Sequence, residues 1–155
     1  MKKRIEDFEF ANDEYLTEYV IPDIVTEIGE GAFYGCTNLK SVTIPDSVTE
    51  IGCGAFWGCT NLQSVTIPDG ITEIRPAAFC YCTSLKSVTI PDGVTKIGNY
   101  AFEGCTSLTS ITIPDSVTEI EWAAFWDCTR LKSLTIPRGC QYKDAFDDNT
   151  EVVVR

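Results

Sequence analysis

Eight cysteines and two rows of carboxylates are the groups in this 155-residue chain that could carry chemistry. Five of the thiols, Cys36, Cys59, Cys82, Cys105 and Cys128, recur at an interval of 23 residues. Thiols so spaced could ligate metal, oxidise in pairs or fill a core. Asp23, Asp46, Asp69, Asp92 and Asp115 keep the same interval, as do Glu27, Glu50, Glu73 and Glu119, with Lys96 in the remaining place of that row. Carboxylates on adjacent coils would stand ~5 Å apart, the separation used by retaining glycosidases. A catalytic pair is a unique constellation, whereas this spacing runs the length of the chain. Histidine is absent, which removes the commonest general base and metal ligand. No catalytic residue, cofactor or dedicated metal site is expected, so the chain is not read as an enzyme. The aspartates are expected to close turns by accepting an N–H two residues on, and Lys96 to relieve repulsion among the glutamates. Weak calcium binding is the alternative use of such oxygen-rich rows.

The interval itself carries the architecture. Ile-Pro recurs at Ile21-Pro22, Ile44-Pro45, Ile67-Pro68, Ile90-Pro91, Ile113-Pro114 and Ile136-Pro137. Five units share one template, the second reading IPDSVTEIGCGAFWGCTNLQSVT. Val42 and Ile44 alternate with Ser41 and Thr43, the period of a half-buried strand. Proline then ends the strand because it donates no ladder hydrogen bond. Val48-Thr49-Glu50-Ile51 reads as a second short extended piece, and Ala55-Phe56 as a short helical or 3₁₀ turn that returns Cys59 and Leu62 to the core. One coil cannot bury its own apolar side, so like residues must stack between coils. A mostly β right-handed solenoid follows, with residues 1–20 expected as an N-terminal cap, 21–135 as five repeats and 136–155 as a C-terminal cap.

Charge and composition exclude several partners. A net charge of −11 repels nucleic acid and anionic membranes, and no apolar run approaches the ~20 residues of a membrane helix. Met1-Lys2-Lys3-Arg4 has the charge of a signal n-region, but Glu6, Asp7 and Glu9 stand where its apolar stretch would follow, so no signal peptide is read in this chain. The ladder thiols read as buried. Cys140 falls at the position of Val117 and belongs with the core. Cys53 and Cys80 lie in adjacent coils, and a disulfide between them would need Cα atoms within ~7 Å. Cys80-x-Cys82 has one ladder member and no second pair, too little for zinc.

The block IP(D)xVTxIGxxAFxGCTxLxSVT resembles the BspA-like leucine-rich repeats, and the resemblance covers essentially the whole chain. It implies a leucine-rich-repeat solenoid with parallel strands on a concave face. It also implies surface or secreted proteins that attach to host, cell-surface or matrix proteins.

Two surfaces offer themselves to a protein partner. Between the repeats, variation gathers around the constant Ala-Phe, at 29–31, 52–54, 75–77, 98–100 and 121–123 before it and at the two positions after it. Tyr34, Trp57, Tyr81, Tyr100, Trp122 and Trp126 all fall in this strip. Rigid aromatics with a polar edge suit recognition; packing over the neighbouring coil and simple drift are the competing readings. The strand face is uniform instead, presenting Ser41, Thr43, Ser64, Thr66, Ser87, Thr89, Ser110, Thr112, Ser133 and Thr135, bordered by Lys40, Lys86 and Lys132. Variation points to the edge and the resemblance to the concave face. A structural or self-associating scaffold, with Val152–Val154 pairing edge to edge in a homo-oligomer, is the reading of a different class.

Overall fold

The computed structural model describes residues 3–155, so Met1 and Lys2 of the charged opening lie outside it. The strands in chain order are β1 Arg4–Ile5, β2 Glu18–Val20, β3 Glu27–Ile28, β4 Ser41–Thr43, β5 Glu50–Ile51, β6 Ser64–Thr66 and β7 Glu73–Ile74. They continue with β8 Ser87–Thr89, β9 Lys96–Ile97, β10 Ser110–Thr112, β11 Glu119–Ile120, β12 Ser133–Ile136 and β13 Glu151–Val154. All pairing is parallel, and from β1 to β11 its register is the repeat itself: Ser64 lies beside Ser87 and Glu27 beside Glu50. One sheet runs β2-β4-β6-β8-β10, with β12 alongside β10 and β13 paired to β12. In each central strand the middle residue is buried between exposed Ser and Thr, as the alternation requires.

The expected solenoid is therefore present, but the piece around Ala-Phe is a run of tight turns, and no helix forms among the described residues. The backbone gives the reason. Gly31, Gly54, Ala77, Tyr100 and Ala123 have φ between 54° and 58°, and Gly35, Gly58, Tyr81, Gly104 and Asp127 between 56° and 72°. A left-handed residue on each side of Ala-Phe stops a right-handed helical run before it completes a turn.

Stacking fills the interior. Phe10, Phe33, Phe56, Phe79, Phe102, Phe125 and Phe146 form one column with ring centroids 5.1–5.4 Å apart. Ile, Val and Leu columns pack around it in one continuous core, which among the described residues contains no buried charge. Phe146 follows Phe125 by 21 residues, so the last coil omits two positions yet still delivers a ring to the column.

The glutamate side carries two smaller sheets, β1-β3-β5 and β7-β9-β11, which do not join. The break coincides with Arg75-Pro76, where most coils have Gly followed by a non-proline residue. Glu121 also replaces that glycine, yet its N–H still reaches Ile97 O at 2.9 Å. The proline is thus what distinguishes the broken coil, through the constraint it places on Arg75. Arg75 spans the break with an ion pair to Glu50 at 2.9 Å. Arg4 pairs with Glu27 at 2.7 Å, and Lys96 with Glu121 at 2.7 Å and Glu119 at 3.5 Å, so these cations are threaded through the acidic side. The proline turns close through the backbone, Val48 N–H donating to Pro45 O and its counterparts likewise. Among the described residues the side chains of Asp23, Asp46, Asp69 and Asp92 take no part, contrary to the expected role.

Candidate functional site

The variable strip maps onto the two left-handed rows and the positions beside them. Such backbone suits glycine, since a Cβ at positive φ crowds the following carbonyl. Tyr81 and Tyr100 nonetheless occupy it, at 56° and 58°. Tyr81 lies over Gly104, where an added Cβ would run into its ring, and Tyr100 meets Trp122 edge-on at 5.0 Å. The sequence strip thus divides in three. Tyr34, Trp57 and Tyr81 form a run with centroid spacings of 5.9 and 6.3 Å, Tyr100 and Trp122 form a pair, and Trp126 stands apart. All except half-buried Tyr100 are between 37% and 53% exposed.

Beside the first run lies a cleft of about 280 Å³. Its floor is the first left-handed row at its smallest, Gly31, Gly54 and Ala77. Phe8 precedes these in the row and Tyr100 follows, so small residues are bracketed by large ones. Phe8, Tyr34 and Trp57 supply aromatic lining, while Glu30, Cys53 and Pro76 line the remainder. Phe8 is also left-handed, at 54°, and its ring covers Gly31. Sequence reasoning placed residues 30–31, 53–54 and 76–77 in a variable strip without seeing that they form a depression. The recurrence of Gly31 and Gly54 was the available signal. Phe8, in the divergent lead-in, gave none.

The second expected surface is one continuous sheet face. Its Ser and Thr side chains are exposed from Ser41 to Ser133, and Thr135 is half-buried where β13 pairs. Lys40, Lys86 and Lys132 flank it, exposed. Edge and face are separate surfaces of the same coils.

The thiols divide equally clearly. All eight cysteines are free, so no bridge joins Cys53 to Cys80. In the ladder each S–H donates to the phenylalanine carbonyl of the preceding coil, as Cys59 does to Phe33 at 3.2 Å and Cys82 to Phe56 at 3.2 Å. The same carbonyl accepts the N–H of its own coil's cysteine. Burial pushes Cys36 up to about 11 and Cys128 up to about 12, and raises Cys82 and Cys105 well above the usual thiol range. Cys80, buried with its Sγ 3.5 Å from Glu103, is pushed up to about 12 by desolvation and that carboxylate. These are protonated packing groups, unsuited to nucleophilic work. Among the described residues no set of three His, Cys, Asp or Glu is placed to hold a metal.

With this geometry in hand, the comparisons with known proteins are specific. A family profile, the BspA type leucine rich repeat region, matches in six copies over residues 3–132 and 72–152. A leucine rich repeat protein from T. pallidum superposes with a TM-score of 0.82 at 29% identity, covering 94% of this chain and 72% of that one. A leucine-rich repeat protein from Bacteroides ovatus gives 0.75 at 30% identity, covering 98% of this chain and 45% of its own. A third, from Eubacterium ventriosum, gives 0.68 at 28%, with coverages of 83% and 37%. This chain therefore spans less than half the length of two of these three. No curated protein matches it. Repeat sequence, coil register and structural likeness agree: the chain belongs to the BspA-type leucine-rich repeat family.

Proposed function

We propose that this chain is a non-catalytic protein-binding module, of the kind used in adhesion, which engages its partner along the aromatic edge. One observation carries the reading. In an otherwise uniform array, large half-exposed rings gather at the positions where the template varies, and two of them, Tyr81 and Tyr100, occupy backbone that disfavours them. Solvent drift at such positions would favour small or charged side chains, and exposed aromatics carry a solubility cost. The family's general use as an interaction surface supports the same class.

The test is capture of extracellular-matrix and cell-surface proteins by the parent chain and by two variants of verified fold. In one, Trp57, Trp122 and Trp126 become serine; in the other, Ser64, Ser87 and Ser110 become lysine. A partner held by the parent and the strand-face variant but lost by the tryptophan variant places binding on the edge. The reverse pattern moves it to the strand face and overturns the edge assignment.

A further inference from the structure

We infer that the cleft over the first three repeats receives an arginine side chain from a basic segment of a partner protein. This rests on the protein-binding reading above and names the chemistry of its site. Tyr34 and Trp57 meet at 5.9 Å with planes tilted by 50°, and Phe8 is a third ring in the same lining. Three aromatic side chains thus line one volume. A guanidinium can lie flat against one ring while its aliphatic stem covers another.

Charge complementarity selects that occupant over an uncharged apolar one. Glu30 lines the cleft, is exposed, and its carboxylate takes no partner among the described residues. The cations nearest in sequence to the lining are already held: Arg4 by Glu27, Asp7 and Glu6, and Arg75 by Glu50. The net charge of −11 attracts a basic segment over longer range. The same charge makes a second copy of this chain a poor occupant.

Backbone shape makes room for it. The Phe8 ring fills the space over Gly31, whereas Gly54 has only the Trp57 side chain nearby, at 3.7 Å from where a Cβ would stand, so the floor stays low at Gly54 and Ala77. With adjacent coils ~4.8 Å apart, three of them span ~14 Å, about four extended residues. The expected ligand is therefore a short extended stretch with one arginine and apolar neighbours.

Titration of ¹⁵N-labelled protein with acetyl-Ala-Leu-Arg-Leu-Ala-amide tests this through the three tryptophan indole N–H signals. The Trp57 signal should shift and saturate while those of Trp122 and Trp126 stay in place. The same peptide with citrulline, which keeps the shape and loses the charge, should bind roughly tenfold or more weakly. Glu30→Gln should weaken the arginine peptide several-fold without altering the melting temperature, and added salt should do the same. Equal binding of the citrulline peptide, movement of Trp122 or Trp126 instead, or no Trp57 shift at millimolar peptide overturns the inference. If a captured protein is still lost on changing Trp57 while the arginine peptide fails, the edge reading stands and only the cation chemistry falls.

Discussion

Each ladder cysteine satisfies a carbonyl that would otherwise sit half-bonded beside the phenylalanine column. Its thiol is consequently both shielded and held protonated, whereas Cys53 is partly exposed and lines the cleft. Brief iodoacetamide treatment of the native protein at pH 8 should give one modification, on Cys53, by peptide mass spectrometry. Labelling of Cys82 or Cys105 at a similar rate would contradict the shielding. Two glycines give the complementary test of backbone. Gly104 has φ +69°, and a methyl group there would project into the Tyr81 ring, so Gly104→Ala should cost about 1–3 kcal/mol in urea unfolding. Gly93 lacks a positive φ and would gain only ordinary contacts at 3.4 and 3.5 Å, so Gly93→Ala should be neutral or stabilise by up to about 1 kcal/mol.

At the scale of elements, the break between β5 and β7 is where the coil-to-coil ladder on the acidic side lapses. The amides of Thr49, Thr95 and Thr118 each donate to the threonine one coil earlier at 2.9 Å, and among the described residues the corresponding bond from Thr72 is absent. Hydrogen exchange should therefore find Thr72 less protected than those three, and Pro76→Ser should narrow the difference. Strand positions, inward residues and the column of rings were legible in the sequence because burial follows a period of two within a strand and 23 between coils. The turns were not, because Ala-Phe flanked by small residues suits a helical turn as well as a left-handed one, and only the closed coil decides between them. The cleft was hidden for a related reason. Its floor and walls come from four successive coils, and what joins them is a dihedral angle rather than a residue type.

The whole molecule should feel its thiols through pH. In the folded chain the thiol pKa values of Cys36, Cys59, Cys80, Cys82, Cys105 and Cys128 are all raised. A raised folded value means that the folded state holds the proton more tightly than the unfolded one. The resulting stability is complete below the ordinary thiol pKa of ~8.5 and is lost as pH climbs toward the raised values, about 11 for Cys36 and about 12 for Cys80 and Cys128. Each buried thiol can contribute up to about 1.4 kcal/mol per pH unit in that window. Urea midpoints at pH 7, 9 and 10 should fall steeply over the last two. A Cys82→Ala/Cys105→Ala variant should fall less steeply, and an unchanged slope would show that other groups govern alkaline unfolding.

The register of 23 has a consequence for how such a chain can change over generations. Since each repeat pairs its strand in register with the coil on either side, an in-frame duplication of one whole unit in the gene would encode a coil already matched to its neighbours. Copying beyond Tyr100 would lengthen the molecule and leave the aromatic depression over the first coils where it was. Reach and recognition could thus be inherited as separate traits, one by repeating the gene segment and the other by point substitution within it.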